Sequence, residues 1–119
     1  MNHIELGQKG EDIAVNYLIS KGWEIKSRNF KWRKGEIDII CEAQNRLKII
    51  EVKTRNSNYF GEPFLAVNRA KQRQIIGVTN QYIQANEIDK EVEFDVISII
   101  LNESKMKLEH IENAFYPTL

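Results

Sequence analysis

This 119-residue sequence contains one cysteine, two prolines and no long apolar run. The only cysteine, Cys41, excludes an internal disulfide, and no Cys or His stands at zinc-site spacing from it. Because Cys41 lies in an apolar strand pattern, we expect a buried, unreactive thiol. No apolar run approaches the ~20 residues of a membrane span, and the first residues have no signal-peptide character. We therefore expect a cytoplasmic protein that does not enter a membrane.

Net charge is also absent, because 17 Lys and Arg balance 17 Asp and Glu. The charges are nevertheless unevenly distributed along the chain. Residues 21–73 carry thirteen basic and six acidic side chains, a net charge of +7, whereas the flanking segments are acidic. A basic face on a neutral molecule can still meet a phosphate backbone. Each basic residue taken singly is better explained as a solvated surface charge.

Hydrophobic residues make up 42% of the chain and charged residues 29%, which is typical of a soluble globular protein. Its length fits one domain, residues 1–119. Periodicity and turn residues predict helices at 6–20 and 68–85, with Gly22 ending the first helix. The same signals predict strands at 23–29, 35–43, 46–54, 93–101 and 105–111. This order indicates an α/β fold with a mixed five-stranded sheet and helices packed on it.

The connections are also predictable. The basic stretch KWRKG, residues 31–35, should turn the chain after the first strand. Gln44 and Asn45 separate the next two strands, which indicates an antiparallel hairpin. Residues 55–66 look like a loop containing Pro63, and Pro117 marks the C-terminal tail.

Acidic residues interrupt the apolar strand runs IDII and IIEV. Strict alternation places Asp38 on the face of Glu36 and Ile40, with Ile37, Ile39 and Cys41 on the other. Glu51 and Lys53 share a face of the following strand. A charge in a covered strand is costly unless it is paired or bound to metal. The pattern therefore indicates either a divalent-metal site or a structural ion pair of Lys53 with Asp38 or Glu51.

A metal site of this composition has a clear chemistry. Mg²⁺ takes oxygen ligands and usually keeps several waters, so one or two carboxylates suffice to hold it. The metal lowers the pKa of its water and neutralises charge on a phosphate. A nearby lysine can orient the attacking water or stabilise the developing negative charge. The residue types thus suit phosphodiester hydrolysis.

The stretch GEID followed by EVK, with Asp38 and Glu51 thirteen residues apart, resembles the core motif of PD-(D/E)XK nucleases. Ile37 stands where the nominal motif has proline. More closely, the chain resembles the YraN-like bacterial family, which is similar to archaeal Holliday junction resolvases. The matching stretches cover most of the chain and are GQKGEDIAVNYLISKGW, RNFKWRKGEIDII, IIEVKTR and, more weakly, FDVISI.

This resemblance implies a single nuclease-like domain with a restriction-endonuclease-like α/β/α sandwich. It implies Asp38, Glu51 and Glu11 as metal ligands for Mg²⁺ or Mn²⁺, and Lys53 as the catalytic lysine. Judged from its position alone, Glu11 is better explained as a carboxylate at a helix start, favoured by the helix dipole. The implied activity is endonucleolytic cleavage of DNA, including branched or junction DNA, by a homodimer, since cutting two strands symmetrically needs two sites.

Two other functions remain open from the sequence: a nucleic-acid-binding module that keeps this fold without efficient cleavage, and an assembly factor that does not bind nucleic acid. For the DNA contacts we single out basic and aromatic residues that suit phosphate binding and base stacking. They are Arg28, Lys31, Trp32, Arg33, Lys34, Arg55 and Lys71. His3 and His110 are expected to be terminal or exposed, and we assign them no role.

Overall fold

The structure is a computed structural model that describes residues 1–57 and 67–116. Within these ranges the predicted order of helices and strands is confirmed. The elements are α1 (His3–Ser20), β1 (Glu24–Trp32), β2 (Gly35–Ala43), β3 (Arg46–Arg55), α2 (Arg69–Asn86), β4 (Glu91–Leu101) and β5 (Met106–Phe115). Most of the predicted loop at 55–66, and both prolines, lie outside the described residues.

Local hydrogen bonds determine where α1 begins and ends. The helix starts three residues earlier than predicted because the Asn2 side chain accepts a hydrogen bond from the Glu5 N–H at 2.8 Å. It ends at the predicted place, where Gly22 adopts a φ of +84°. The Trp23 N–H then donates to the Leu18 carbonyl, which satisfies the end of the helix.

The predicted turn at residues 31–35 was too long. Lys31 and Trp32 belong to β1 and pair with Glu36 and Gly35 of β2, so only residues 33 and 34 form the turn. The polar composition of this stretch is compatible with a strand because β1 lies at the edge of the sheet. One of its faces can therefore remain in water.

The sheet has the order β1-β2-β3-β4-β5, in which β3 and β4 are parallel and the other neighbours antiparallel. This confirms the predicted mixed five-stranded sheet. The two helices cover opposite faces. Ile75, Val78 and Tyr82 of α2 pack on one face, and Ala14 and Leu18 of α1 pack on the other. The central strands are consequently buried on both sides.

The strict alternation predicted for β2 was wrong at one position. Ile37 packs on the α2 side with Ile40, whereas Ile39 and Cys41 pack on the α1 side. The reversal falls at Asp38. There the hydrogen-bonded ladder to β3 also ends, because its last pair is Ile39 with Ile50. The buried thiol predicted for Cys41 is confirmed, and burial raises its pKa to about 12.

A buried lysine links three strands at the other end of β3. The Lys48 side chain is 0% exposed, and its ammonium lies 2.6 Å from Glu93, 3.1 Å from Asp95 and 3.2 Å from Glu112. Burial opposes the charge on Lys48, but the hydrogen bond to Glu93 and the charge of Asp95 outweigh it and raise the pKa. The ammonium therefore stays protonated inside the protein and ties β3 to β4 and β5.

The expectation that His110 is exposed was wrong. Its side chain is 5% exposed, and its Nε2 lies 2.8 Å from an Asp95 carboxylate oxygen. Its Nδ1 lies 2.9 Å from the Tyr17 hydroxyl. His110 thus connects α1 to β4 from its place on β5, beside the Lys48 cluster.

Helix α1 approaches β3 most closely at Gly10. A Cβ at this position would overlap the Thr54 side chain, because the helix backbone lies directly against that residue. Gly7, one turn earlier, has no atom within 4 Å of such a Cβ. Gly10 therefore sets the distance between α1 and the sheet.

We predict that Gly10→Ala destabilises the protein by about 1–3 kcal/mol, because the overlap with Thr54 forces α1 away from β3. The matched control Gly7→Ala should instead stabilise it by about 0.5–1 kcal/mol, since alanine is the better helix former. Urea unfolding of both variants measures the difference. Equal effects of the two substitutions would show that the close approach does not constrain the helix.

Candidate functional site

A cleft of about 840 Å³ opens between α1 and the ends of β1, β2 and β3. It lies where the β2–β3 ladder has ended, so the separated strands leave space between their side chains. Three of the four residues predicted to be catalytic line it: Glu11, Asp38 and Lys53. Glu51, the fourth, is in electrostatic contact with Asp38.

Asp38 occupies the gap between the two strands. Its Oδ2 accepts a hydrogen bond from the Val52 N–H at 2.8 Å, across the place where the next strand pair would have formed. A backbone donor of β3 is thereby satisfied by a side chain rather than by β2. The bond fixes one carboxylate oxygen of Asp38, and the Asp38 side chain also interacts directly with Glu51.

Glu51 is largely buried, with 13% of its side chain exposed, and its Oε1 lies 3.4 Å from the Lys71 ammonium of α2. Burial and the neighbouring Asp38 charge raise the pKa of Glu51 to about 8, although Lys71 opposes the rise. Two carboxylates held this close in a poorly solvated place repel each other when both are ionised. The pair therefore favours either a proton or a cation.

Lys53 lies at the exposed margin of the cleft. Among the described residues its ammonium takes part in none of the ion pairs, and the partner of Glu51 is Lys71 instead. The alternative of a structural ion pair between Lys53 and Asp38 or Glu51 is thus not what the described residues form. The Lys53 ammonium is available to a ligand in the cleft.

Glu11 reaches the cleft from the middle of α1, so the alternative of a carboxylate at a helix start was wrong. Its Oε1 accepts hydrogen bonds from Arg28 at 3.1 Å and from Asn29 at 2.9 Å. Burial raises the pKa of Glu11, the Arg28 hydrogen bond counteracts this, and the Asp38 charge adds to the rise. Glu11 belongs to the same electrostatic cluster as Asp38, but one of its oxygens is already engaged.

Asp38 and Glu51 suit a divalent ion that is held by two carboxylates and completed by water, rather than an ion enclosed entirely by protein ligands. Within residues 1–57 and 67–116, no three Asp, Glu, His or Cys side chains are gathered as a ready-made metal site. Mg²⁺ is commonly held by only one or two carboxylates, with water and a substrate phosphate as the remaining ligands. The acidic pair, with its mutual repulsion, suits that kind of site.

The residues predicted to contact nucleic acid fall into separate groups. Arg28 and Lys31 line the cleft, and Arg28 is ion-paired with Glu11 and Asp12. Trp32, Arg33 and Lys34 surround a second groove on the α2 side. Lys71 is ion-paired with Glu51.

Arg55 stands apart from these groups. It is the last residue of β3 and lies opposite Ile100 in the ladder to β4.

Sequence reasoning missed two contributors to the cleft, Asn29 and the Val52 backbone. Asn29 has a φ of +52° and lies in the β1–β2 ladder between the pairs formed by Arg28 and Phe30. An asparagine tolerates this conformation, and its amide thereby reaches Glu11. An asparagine inside a polar strand gives no distinct signal, and a backbone N–H gives none at all.

The fold and the cleft define a small mixed α/β protein with an acidic pair and a free lysine where two central strands separate. The chain belongs to the uncharacterised protein family UPF0102, whose model matches residues 10–99. It is 44% identical to a UPF0102 protein of Christiangramia forsetii over 96% of both chains. It is 46% identical to one of Thermodesulfovibrio yellowstonii over 98% of this chain and 100% of the relative.

The structure also bears on membrane contact. No helix in the described part of the chain is long and apolar enough to cross a membrane.

The raised pKa of Glu51 predicts a pH-dependent stability in the absence of metal. Between its ordinary value of 4.5 and about 8, the folded protein holds a proton that the unfolded chain has released. The free energy of unfolding therefore falls as pH rises through this window, by at most about 1.4 kcal/mol per pH unit. Glu51→Gln stays neutral and should not show this loss.

Urea unfolding of the wild type and of Glu51→Gln is measured in EDTA from about pH 5 to about pH 9, a range that includes the raised pKa of Glu51. The effect is the difference between the two proteins in the free energy of unfolding at each pH. Other titrating groups are common to both proteins and cancel. The variant should become the more stable of the two as pH rises. A difference that does not change with pH would contradict the prediction.

Proposed function

We propose that this chain is a metal-dependent endonuclease of the PD-(D/E)XK superfamily with a restriction-endonuclease-like fold. The observation that carries the proposal is the meeting of Asp38 and Glu51 where the β2–β3 ladder ends, with Lys53 on the same cleft. The residue types match the motif that the sequence resembles, and the fold brings them to one place. Two neighbouring carboxylates in a poorly solvated place repel each other even with Lys71 beside Glu51, and a bound cation would offset that cost.

In this proposal Asp38 and Glu51 hold Mg²⁺ or Mn²⁺, and Glu11 acts from α1 on the same cation or on its water shell. The bound metal would activate a water molecule and neutralise charge on the phosphate. Asp38 is oriented for this role by the Val52 N–H. Lys53 would donate to the attacking water or to a phosphate oxygen and stabilise the negative charge that develops there.

The substrate we propose is DNA, with branched or junction DNA as the form that the resemblance to resolvases implies. Arg28 and Lys31 border the cleft, while Arg33 and Lys34 lie at the turn beyond it. Cations in these places would neutralise phosphates on both sides of the cutting site. A homodimer would supply the two sites that symmetrical cutting of two strands requires.

Divalent metal should stabilise the folded protein by mass action. We expect a higher melting temperature in millimolar Mg²⁺ or Mn²⁺ than in EDTA, and a smaller difference in Asp38→Asn. The charge-matched control Glu36→Gln also removes an acid that borders the cleft, but it leaves the acidic pair intact. If wild type and Asp38→Asn respond alike, the metal does not bind at this pair.

Asp38→Asn and Lys53→Ala should each abolish cleavage of a panel of linear and branched DNAs with Mg²⁺ or Mn²⁺. Asparagine removes a metal-binding charge, and alanine removes the cation nearest the reaction. Binding should persist in Asp38→Asn, since one anion near the phosphate is gone. Glu36→Gln serves again as the control and should cut at the wild-type rate. Cutting by Asp38→Asn at that rate would exclude a catalytic role for the pair.

Replacing Arg33 and Lys34 together by alanine should weaken DNA binding across all sequences and flatten its salt dependence. Each lost phosphate contact lowers the slope of log K against log salt by about 0.9 for duplex DNA. The control replaces Lys105 and Lys107, two exposed lysines at or beside β5 on the opposite edge of the sheet. An equal loss in both double variants would point to net charge rather than to a binding surface.

The same measurements separate the other two functions. Steep, salt-dependent binding without any cleavage would identify a nucleic-acid-binding module of this fold. Absence of both binding and cleavage would leave the assembly-factor hypothesis.

A further inference from the structure

A second groove, of about 370 Å³, lies on the opposite face of the β1–β2 hairpin from the cleft. The hairpin tip forms one wall and α2 forms the other. The two walls are in direct contact, because a Cβ at Gly35 would lie 2.5 Å from a Val78 methyl group. The groove is therefore a fixed feature of the packing between the hairpin and the helix.

The groove has an apolar floor and a basic rim. Gly77 and Val78 of α2 and the Trp32 ring form the floor, while Arg33, Lys34 and Arg73 form the rim. A Cβ at Gly77 would have no atom within 4 Å, so the helix surface there is open. All three basic residues of the rim are exposed.

Trp32 and Arg33 are in cation–π contact. The Arg33 guanidinium carbon lies 4.4 Å from the centre of the Trp32 ring. Nucleic-acid bases stack on aromatic rings and on guanidinium planes, so a pair of this kind suits a base. A flat apolar surface surrounded by positive charge suits a base with its phosphates. An apolar peptide, in contrast, carries no negative charge to pair with the three basic residues.

The position of the groove connects it with the cleft. Lys31 and Glu36 form one pair of the hairpin and border the cleft, and the adjacent pair, Trp32 and Gly35, borders the groove. Successive residues of a strand are only about 3.3 Å apart. A nucleic-acid strand that leaves the cleft and passes around the hairpin tip would therefore enter the adjacent groove.

We propose that this groove binds an unpaired base of a single-stranded nucleic acid, with Arg33, Lys34 and Arg73 on the flanking phosphates. The inference rests on the proposed function and narrows it. The enzyme would take substrates in which a single strand emerges beside the cutting site, such as a flap, a junction arm or a frayed end. In a continuous duplex the base is stacked and paired and cannot enter.

The test compares two leucine substitutions on the exposed surface of α2. Gly77→Leu fills the groove, whereas Asn80→Leu adds the same side chain to an exposed position outside its lining. The binding of labelled oligothymidylate and of a blunt duplex is measured by fluorescence anisotropy in EDTA, which prevents cleavage. We expect Gly77→Leu to weaken oligothymidylate binding about tenfold, which is the contribution of one stacked base to the affinity. Duplex binding should not change in either variant.

Tryptophan emission reports on the groove directly. The chain has two tryptophans, of which Trp23 is buried on the α1 side and Trp32 borders the groove. Oligothymidylate should quench the emission of the wild type, Asn80→Leu and Asp38→Asn, but not that of Trp32→Phe or Gly77→Leu. Equal quenching by thymidine monophosphate at the same nucleotide concentration would identify a free-nucleotide site and overturn the proposal of a strand site.

The outcomes separate this inference from the proposed function. If the wild type cuts DNA but Gly77→Leu and Asn80→Leu bind oligothymidylate equally well, the groove does not bind a base and the nuclease proposal stands. If the wild type cuts no substrate yet Trp32 is quenched and Gly77→Leu weakens binding, the groove stands and the nuclease proposal falls. If oligothymidylate neither binds nor quenches, the groove proposal is overturned.

Discussion

The candidate site depends on where the hydrogen-bonded ladder between β2 and β3 ends. From the Ala43–Arg46 pair to the Ile39–Ile50 pair the two strands are regular neighbours. Asp38 then takes the place of a backbone partner by accepting from the Val52 N–H. If the ladder continued, that N–H would pair with β2, and no gap would remain between Asp38, Glu51 and Lys53.

The ladder can end there because the remainder of the fold holds the strands in place. β3 keeps its parallel pairing with β4 along its whole length, from Arg46 to Arg55. At the opposite end of β3, the Lys48 cluster fastens it to β4 and β5 through three acids. Two of these acids also meet other basic groups, since Arg46 lies 3.8 Å from Glu93 and His110 lies 2.8 Å from Asp95. The described residues thus contain two acidic clusters, one around the buried Lys48 ammonium and one in which Asp38 and Glu51 repel each other although Lys71 lies 3.4 Å from Glu51.

Much of this could be predicted from the sequence, because the strands and helices have strong periodicity and clear turn residues. The mixed sheet, the hairpin at residues 44–45 and the places of Asp38 and Glu51 at the middle of the sheet follow from local patterns. The reversal at Asp38 does not, since alternation assumes an unbroken ladder and Ile37 is apolar on either face. Lys48 is buried against Glu93 and Glu112, which are 45 and 64 residues away in the chain, and His110 against Tyr17, which is 93 residues away. No local pattern reports such contacts.

The β1–β2 hairpin is held from both sides, and this bears on how the site works. On the α1 side, Glu11 accepts hydrogen bonds from Arg28 and Asn29 of β1, which join the helix to the hairpin. On the α2 side, the Phe30 ring meets the Tyr82 ring edge to face, with centroids 5.2 Å apart. These contacts position the hairpin between the two helices, with the cleft on one side and the groove on the other. In the proposed binding mode, a free strand end or a branch would let the nucleic acid occupy both.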